Sequence, residues 1–191
     1  CVPAPSGLGG SDGLSFFSGS EDCLYLDIKR PKKIGSGLLP VMFWIHGGGN
    51  ISGLKDLYDF SPMVKKHDVI VVTINYRLGP FGWFTHPSIQ DSQQDLDKTS
   101  NFGTLDIIAA LEWVKQNISL FGGDPNNITI FGESAGGHNV LSLLVTKQAK
   151  GLFHKAISQS GYTTSFSKTE AYKQINKSST SEHTSWKVVN K

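Results

Sequence analysis

The sequence predicts an α/β fold: a mostly parallel central sheet with flanking helices, incomplete within this chain. Three observations carry the expectation. Short, continuous apolar runs rich in β-branched residues suit strands buried on both faces of a parallel sheet. One long stretch repeats its apolar residues at helical spacing. The two patterns then alternate along the chain, as an α/β sheet requires.

The opening twenty residues, rich in Gly, Ser and Pro, read as loop. Asp22 to Lys29 alternates Cys23, Tyr25 and Asp27 with Leu24, Leu26 and Ile28, which predicts a half-buried strand. Val41-Met42-Phe43-Trp44-Ile45 is a buried-strand run that stops at His46-Gly47-Gly48-Gly49. Val69 to Ile74 is a second such run, followed by Asn75-Tyr76-Arg77-Leu78-Gly79-Pro80. Thr104 to Asn117 predicts a helix, with Leu105, Ile108, Leu111 and Val114 on one face and Glu112, Lys115 and Gln116 on the other. Phe121-Gly122-Gly123-Asp124-Pro125 ends it and turns the chain. Ile128 to Phe131 then reads as a strand, Ala135 to Val145 as a helix, and Lys155 to Gln159 as a short strand.

Charge argues against nucleic acid. The net charge is +2, and the segment from Ser165 to Lys191 alone holds five Lys against two Glu. The rest is near neutral, which gives no basic face for phosphates, so those lysines read as a solvated polar tail. No apolar run is long enough to span a bilayer. The only cysteines are Cys1 and Cys23. On composition they fit one disulfide in an oxidising compartment, two free thiols, or a lipid-anchored Cys1.

Two glycine motifs carry chemistry. Gly132-Glu133-Ser134-Ala135-Gly136 matches G-x-S-x-G, the nucleophile elbow. That motif needs a sharp turn between strand and helix, so that the serine Oγ stands above the sheet and the helix N–H groups face developing negative charge. The expected strand and helix lie on either side of it. His46-Gly47-Gly48-Gly49 is rarer, and it directly follows a buried strand. Such a glycine loop can turn backbone N–H groups toward a tetrahedral oxyanion. A nucleotide site is unsupported, because the elbow is not G-x-G-x-x-G and no Gly-Lys-Ser/Thr triplet occurs.

Taken in order, these segments, together with Glu21 to Leu26, Asn75 to Gly79, Phe121 to Pro125 and Ser158-Gln159-Ser160-Gly161, resemble the type-B carboxylesterase (cholinesterase-like) family over Cys1 to about Tyr162. The resemblance implies an α/β-hydrolase fold, with 1–191 the N-terminal part of a single catalytic domain and 165–191 a truncated polar tail. It implies Ser134 as nucleophile and the N–H groups of Gly48, Gly49 and Ala135 as oxyanion hole. Glu133, His46 and Asn50 are expected as supporting residues, Glu133 as a carboxylate beside the nucleophile that can tune the site. It pairs Cys1 with Cys23 in a disulfide, which favours a secreted or periplasmic protein. The substrate would be a small-molecule ester, hydrolysed through an acyl-enzyme with no metal or organic cofactor.

This chain departs from the family in carrying Asn50, where an aromatic residue is common after the glycine loop, and the pocket wall is expected to differ there. His138, one helical turn after Ser134, invites a role as general base, but from that position its ring is expected to point aside. The acid and histidine partners are expected beyond Lys191, in the remainder of the same domain, with the chain as roughly the first half and inactive alone. An adhesion or scaffold domain of the same fold is the alternative, and a lyase or acyltransferase would share the elbow. Trp44 and Trp113 are expected in the core, while Phe81, Trp83 and Phe84 suit either packing or a pocket. Asn50, Asn117, Asn127 and Asn176 begin glycosylation sequons.

Overall fold

The computed structural model of the chain describes Cys1, residues 19–165 and Ser167. The expected opening loop, most of the polar tail, Asn176 and His183 lie outside the described residues. Five strands form one sheet: β1 (Leu26–Lys29), β2 (Leu39–Ile45), β3 (Ile70–Ile74), β4 (Gly123–Glu133) and β5 (Lys155–Gln159), in the order β1-β3-β2-β4-β5. β1 runs antiparallel to β3, and every other pairing is parallel. The helices are α1 (Ser61–His67), α2 (Gly79–Gly82), α3 (Pro87–Ser92), α4 (Phe102–Asn117) and α5 (Ala135–Val145). The mostly parallel α/β expectation is met.

The continuous apolar runs are explained by two separate cores. From β2 and β3, Val41, Phe43, Ile45, Ile70, Val72 and Ile74 point to the larger core with Ile107, Leu111 and Val114 of α4 and Val140 and Leu143 of α5. The alternate positions Trp44 and Val71 point to the opposite face, where Phe131 of β4 and Val64 of α1 meet them. A strand covered on both faces needs no polar side, so period-2 alternation is absent from its sequence. Trp44 packs edge-on to Tyr58 and Phe60 at 5.2 and 5.3 Å and tilted against Phe131 at 4.8 Å.

Several boundaries differ from the expected ones. The strand expected over Asp22–Lys29 begins only at Leu26, because the chain is turned just before it. Tyr25 N–H bonds to the Cys23 carbonyl at 2.8 Å, Asn75 Nδ2 bonds to the same carbonyl at 3.1 Å, and Cys23 is joined to Cys1 in a disulfide. Leu24 and Tyr25 are left exposed. Helix α4 starts at Phe102 rather than Thr104. The turn expected over 121–125 is shorter: Gly122, at φ 85°, closes a 3₁₀ turn over Ile118–Phe121, and Gly123 already pairs with Leu39 in the sheet. Trp113, expected in the core, is 39% exposed and leans on Phe121 at 6.1 Å. Helices α1 to α3 were not foreseen from the sequence; each is short, and all three open on or beside a proline.

Candidate active site

Strand β4 ends at Glu133 and helix α5 begins at Ala135, so Ser134 is the whole of the connection. Its backbone sits at φ 57°, ψ −120°, a region that L-residues avoid and that costs about 1–3 kcal/mol to hold. Two bonds hold it: Ser134 N–H donates to the Gln159 carbonyl of β5 at 2.8 Å, and His138 N–H donates to the Ser134 carbonyl at 2.9 Å. Close packing explains the flanking glycines. A Cβ at Gly132 would lie 2.6 Å from the Gly136 carbonyl carbon and 2.7 Å from the Ile45 carbonyl oxygen. Ala135 is the first residue of α5, and N–H groups in a first helical turn have no partner inside the helix.

The glycine loop after β2 folds directly against this elbow, since β2 and β4 are paired up to Ile45 and Gly132. A Cβ built on Gly47 would stand 2.7 Å from the Glu133 carbonyl oxygen, 3.2 Å from Glu133 Oε2 and 3.3 Å from Ser134 Cβ. Only a residue without a side chain allows that approach. Gly48 and Gly49 follow at φ 98° and 65°. The Gly48 carbonyl is turned away into the loop, where it accepts from Ile51 N–H at 3.1 Å, Ser52 N–H at 3.0 Å and Ser52 Oγ at 3.2 Å. The expected nucleophile, Glu133 and the glycine loop are thus neighbours, although the loop and the elbow are far apart in sequence.

His46 supports the loop from below. It is 1% exposed, stacks on Tyr76 at 4.4 Å, and hydrogen-bonds through Nδ1 to the Gly47 carbonyl at 2.8 Å. Burial pushes its pKa from 6.5 down to about 4, so the ring is neutral at pH 7. The unfolded chain therefore takes up a proton between those values that the folded protein refuses, and stability falls as pH drops from about 6.5 toward 4. Denaturant unfolding across that window should show this loss, and His46→Phe should flatten the slope by up to about 1.4 kcal/mol per pH unit.

Asn50, half-buried, is hydrogen-bonded on both its side chain and its backbone. Its backbone is left-handed at φ 60°, its Oδ1 accepts from Asn139 Nδ2 at 2.9 Å, and its carbonyl accepts from Gly79 N–H at 2.7 Å. Tyr76, fully buried, donates its hydroxyl to the His46 carbonyl at 2.6 Å. Burial raises the Tyr76 pKa, which keeps the donor protonated. Asn139 was not singled out in the sequence. The signal for it is a polar residue at a core-facing position of an otherwise apolar helix.

The other candidates sort by their contacts. His138 bonds through Nδ1 to the Tyr162 carbonyl at 2.6 Å and stacks on that ring at 4.2 Å, aside as expected. His154 Nδ1 accepts from Ile128 N–H at 3.1 Å at the foot of β4. Trp83 stands edge-on to Tyr76 at 6.1 Å and packs on the larger core, which favours packing over a pocket, whereas Phe81 is exposed. Among the sequon residues, Asn117 Nδ2 bonds to the Trp113 carbonyl at 2.8 Å and Asn127 Oδ1 accepts from Lys155 Nζ at 2.7 Å. Among the described residues, no helix is long and apolar enough to cross a membrane.

Comparison with known proteins matches this arrangement to one family. The carboxylesterase family model matches residues 4–189. The chain belongs to the carboxylesterase family. Para-nitrobenzyl esterase of Bacillus subtilis (strain 168) is 49% identical over 154 residues, covering 80% of this carboxylesterase chain and 30% of the relative. Human cocaine esterase is 52% identical over 143 residues, covering 74% of this chain and 24% of the relative. A solved structure of PNB esterase superposes with a TM-score of 0.69 at 48% identity, over 80% of this chain and 32% of that one. The fold is therefore that of the α/β-hydrolase carboxylesterases. The aligned carboxylesterase segment spans a third or less of these relatives, a smaller share than the half expected.

Proposed function

We propose that this chain is the nucleophile-bearing segment of a serine carboxylesterase that hydrolyses small-molecule esters. The observation that carries the reading is the strained Ser134 backbone at the β4–α5 junction, with the glycine loop folded onto it. A serine held at that cost in a turn one residue long is best accounted for by work done at its Oγ. Ser134 Oγ attacks the ester carbonyl, and the carbonyl oxygen gathers charge that the N–H groups of Gly48, Gly49 and Ala135 receive. A histidine takes the serine proton and passes it to the leaving alcohol, and water then releases the acyl group.

His46, His138 and His154 each commit a ring nitrogen to the backbone. The base and its acidic partner are assigned to the protein beyond Lys191, because the family's chain order is Ser, acid, His and the aligned segment covers a third or less of its relatives. The chemistry requires neither metal nor organic cofactor. Relatives named for para-nitrobenzyl esters, cocaine and acylcarnitine share ester hydrolysis and differ in the alcohol and acyl parts, so the proposal goes no further than the ester class. The Cys1–Cys23 disulfide supports an oxidising, extracytoplasmic setting.

The test is covalent. The complete protein is incubated with a fluorophosphonate, digested and mapped by mass spectrometry. The adduct is expected on the peptide containing Ser134. An adduct on another residue, or none while a nitrophenyl ester is still turned over, overturns the assignment. An intact protein with neither adduct nor turnover points instead to the adhesion reading.

A further inference from the structure

The two sources of oxyanion donors come from segments far apart in the chain, the loop after β2 and the start of α5. Parallel pairing of β2 with β4 aligns the strands beneath them, but the loop leaves the sheet at His46 and passes through several residues with positive φ. Donors that must meet one developing charge need a fixed separation, since a displacement of about 1 Å costs on the order of a hundredfold in rate. Something above the sheet has to tie the loop to the helix.

We propose that Asn139 is a positioning residue that does this through Asn50. The proposal rests on the esterase reading above. Asn139 lies on α5, little more than one turn after Ser134, and is 2% exposed. Its Nδ2 donates to Asn50 Oδ1 at 2.9 Å across 89 residues of sequence. Asn50 directly follows Gly49 and is held at φ 60°, a conformation that asparagine tolerates better than other residues with a side chain. On its other side the Asn50 carbonyl accepts from Gly79 N–H at 2.7 Å, while the Tyr76 hydroxyl fixes the His46 carbonyl at 2.6 Å. The glycine loop is thus fastened at both ends, at His46 by Tyr76 and at Asn50 by Asn139. Of these bonds, the one from Asn139 runs to the helix that carries Ala135. The bond is partly buried and made between neutral amides, so salt should not weaken it, and without Asn139 the Asn50 Oδ1 keeps only a long contact from the Tyr76 hydroxyl at 3.5 Å.

The experiment compares Asn139→Ala, Asn50→Ala and the double variant in the complete protein, well below the Tm of each. Each single variant is expected to lower kcat on a nitrophenyl ester about tenfold, with KM within about twofold, because ground-state binding does not use the oxyanion donors. The double variant should be no slower than the worse single. Hydrogen exchange of the peptide spanning 46–53 should quicken in both single variants, while β3 is unchanged. If Asn139→Ala misfolds, Asn139→Ser, which shortens the side chain and loses the amide, takes its place with the same expectations. Unchanged loop exchange, unchanged kcat, or losses that multiply in the double variant would each overturn the positioning role. A wild type without turnover but with quickened loop exchange in the variants would remove the esterase reading and the catalytic consequence, leaving only a tie between loop and helix.

Discussion

Ser134→Ala in the complete protein is expected to reduce kcat on a nitrophenyl ester by roughly a millionfold, since removing the nucleophile removes the acyl-enzyme route altogether. KM should change little, and the protein should remain folded, because alanine tolerates φ 57° about as badly as serine does. Ser134→Gly separates chemistry from strain. It is equally inactive, yet it should be about 1 kcal/mol more stable than Ser134→Ala, because glycine adopts that backbone without penalty. Urea unfolding of the two variants beside kinetic assays checks both statements. Equal stability of the two would mean that the elbow stores no strain, and residual turnover above a hundredth of wild type would move the nucleophile elsewhere.

The second large effect concerns stability. Asp106 of α4 accepts three hydrogen bonds from one residue: Arg77 backbone N–H at 2.9 Å, Nε at 2.8 Å and Nη2 at 2.8 Å. The carboxylate side chain is 6% exposed, whereas the guanidinium is 40% exposed and lies over the Phe102 ring at 5.3 Å. Asp106→Ala should therefore cost about 3 kcal/mol, at the low end for a broken buried pair, because the orphaned guanidinium can still reach water. Asp106→Asn should recover part of this through the backbone bond. Arg77→Lys should not rescue the pair, since a lysine ammonium cannot make the two-pronged contact. A loss below about 0.5 kcal/mol for Asp106→Ala, read from urea midpoints at constant m-value, would place the pair among ordinary surface ion pairs.

The framework was legible in the sequence because its strongest signals are physical necessities. Val41 to Ile45 and Val69 to Ile74 are apolar throughout because each strand is covered on both faces. The glycines around Ser134 are demanded by contacts near 2.6 Å that no side chain survives. What escaped was set by tertiary contacts. Asp22 to Tyr25 alternates like a strand, yet the strand begins only at Leu26, since Cys23 is tied to Cys1 and its carbonyl is taken by Tyr25 N–H and the Asn75 side chain. Trp113 keeps helical spacing but stands at the rim of its face. The tie between Asn50 and Asn139 escaped because the two lie 89 residues apart and no local pattern links them. Helices shorter than two turns, such as α2, present too few positions for a periodic pattern to register.

The anchoring of Ser134 also bears on how such a protein can be handled. The nucleophile's own amide is fastened to the Gln159 carbonyl of β5, a strand paired in parallel with β4 from Thr129 to Glu133. A bulky label or an inserted epitope placed on Lys155 to Gln159 would disturb the reacting serine through this ladder and the Ser134–Gln159 bond, however far from the substrate it looked. Attachment on Lys29 of β1 leaves β3 and β2 between the graft and β4 and should be silent.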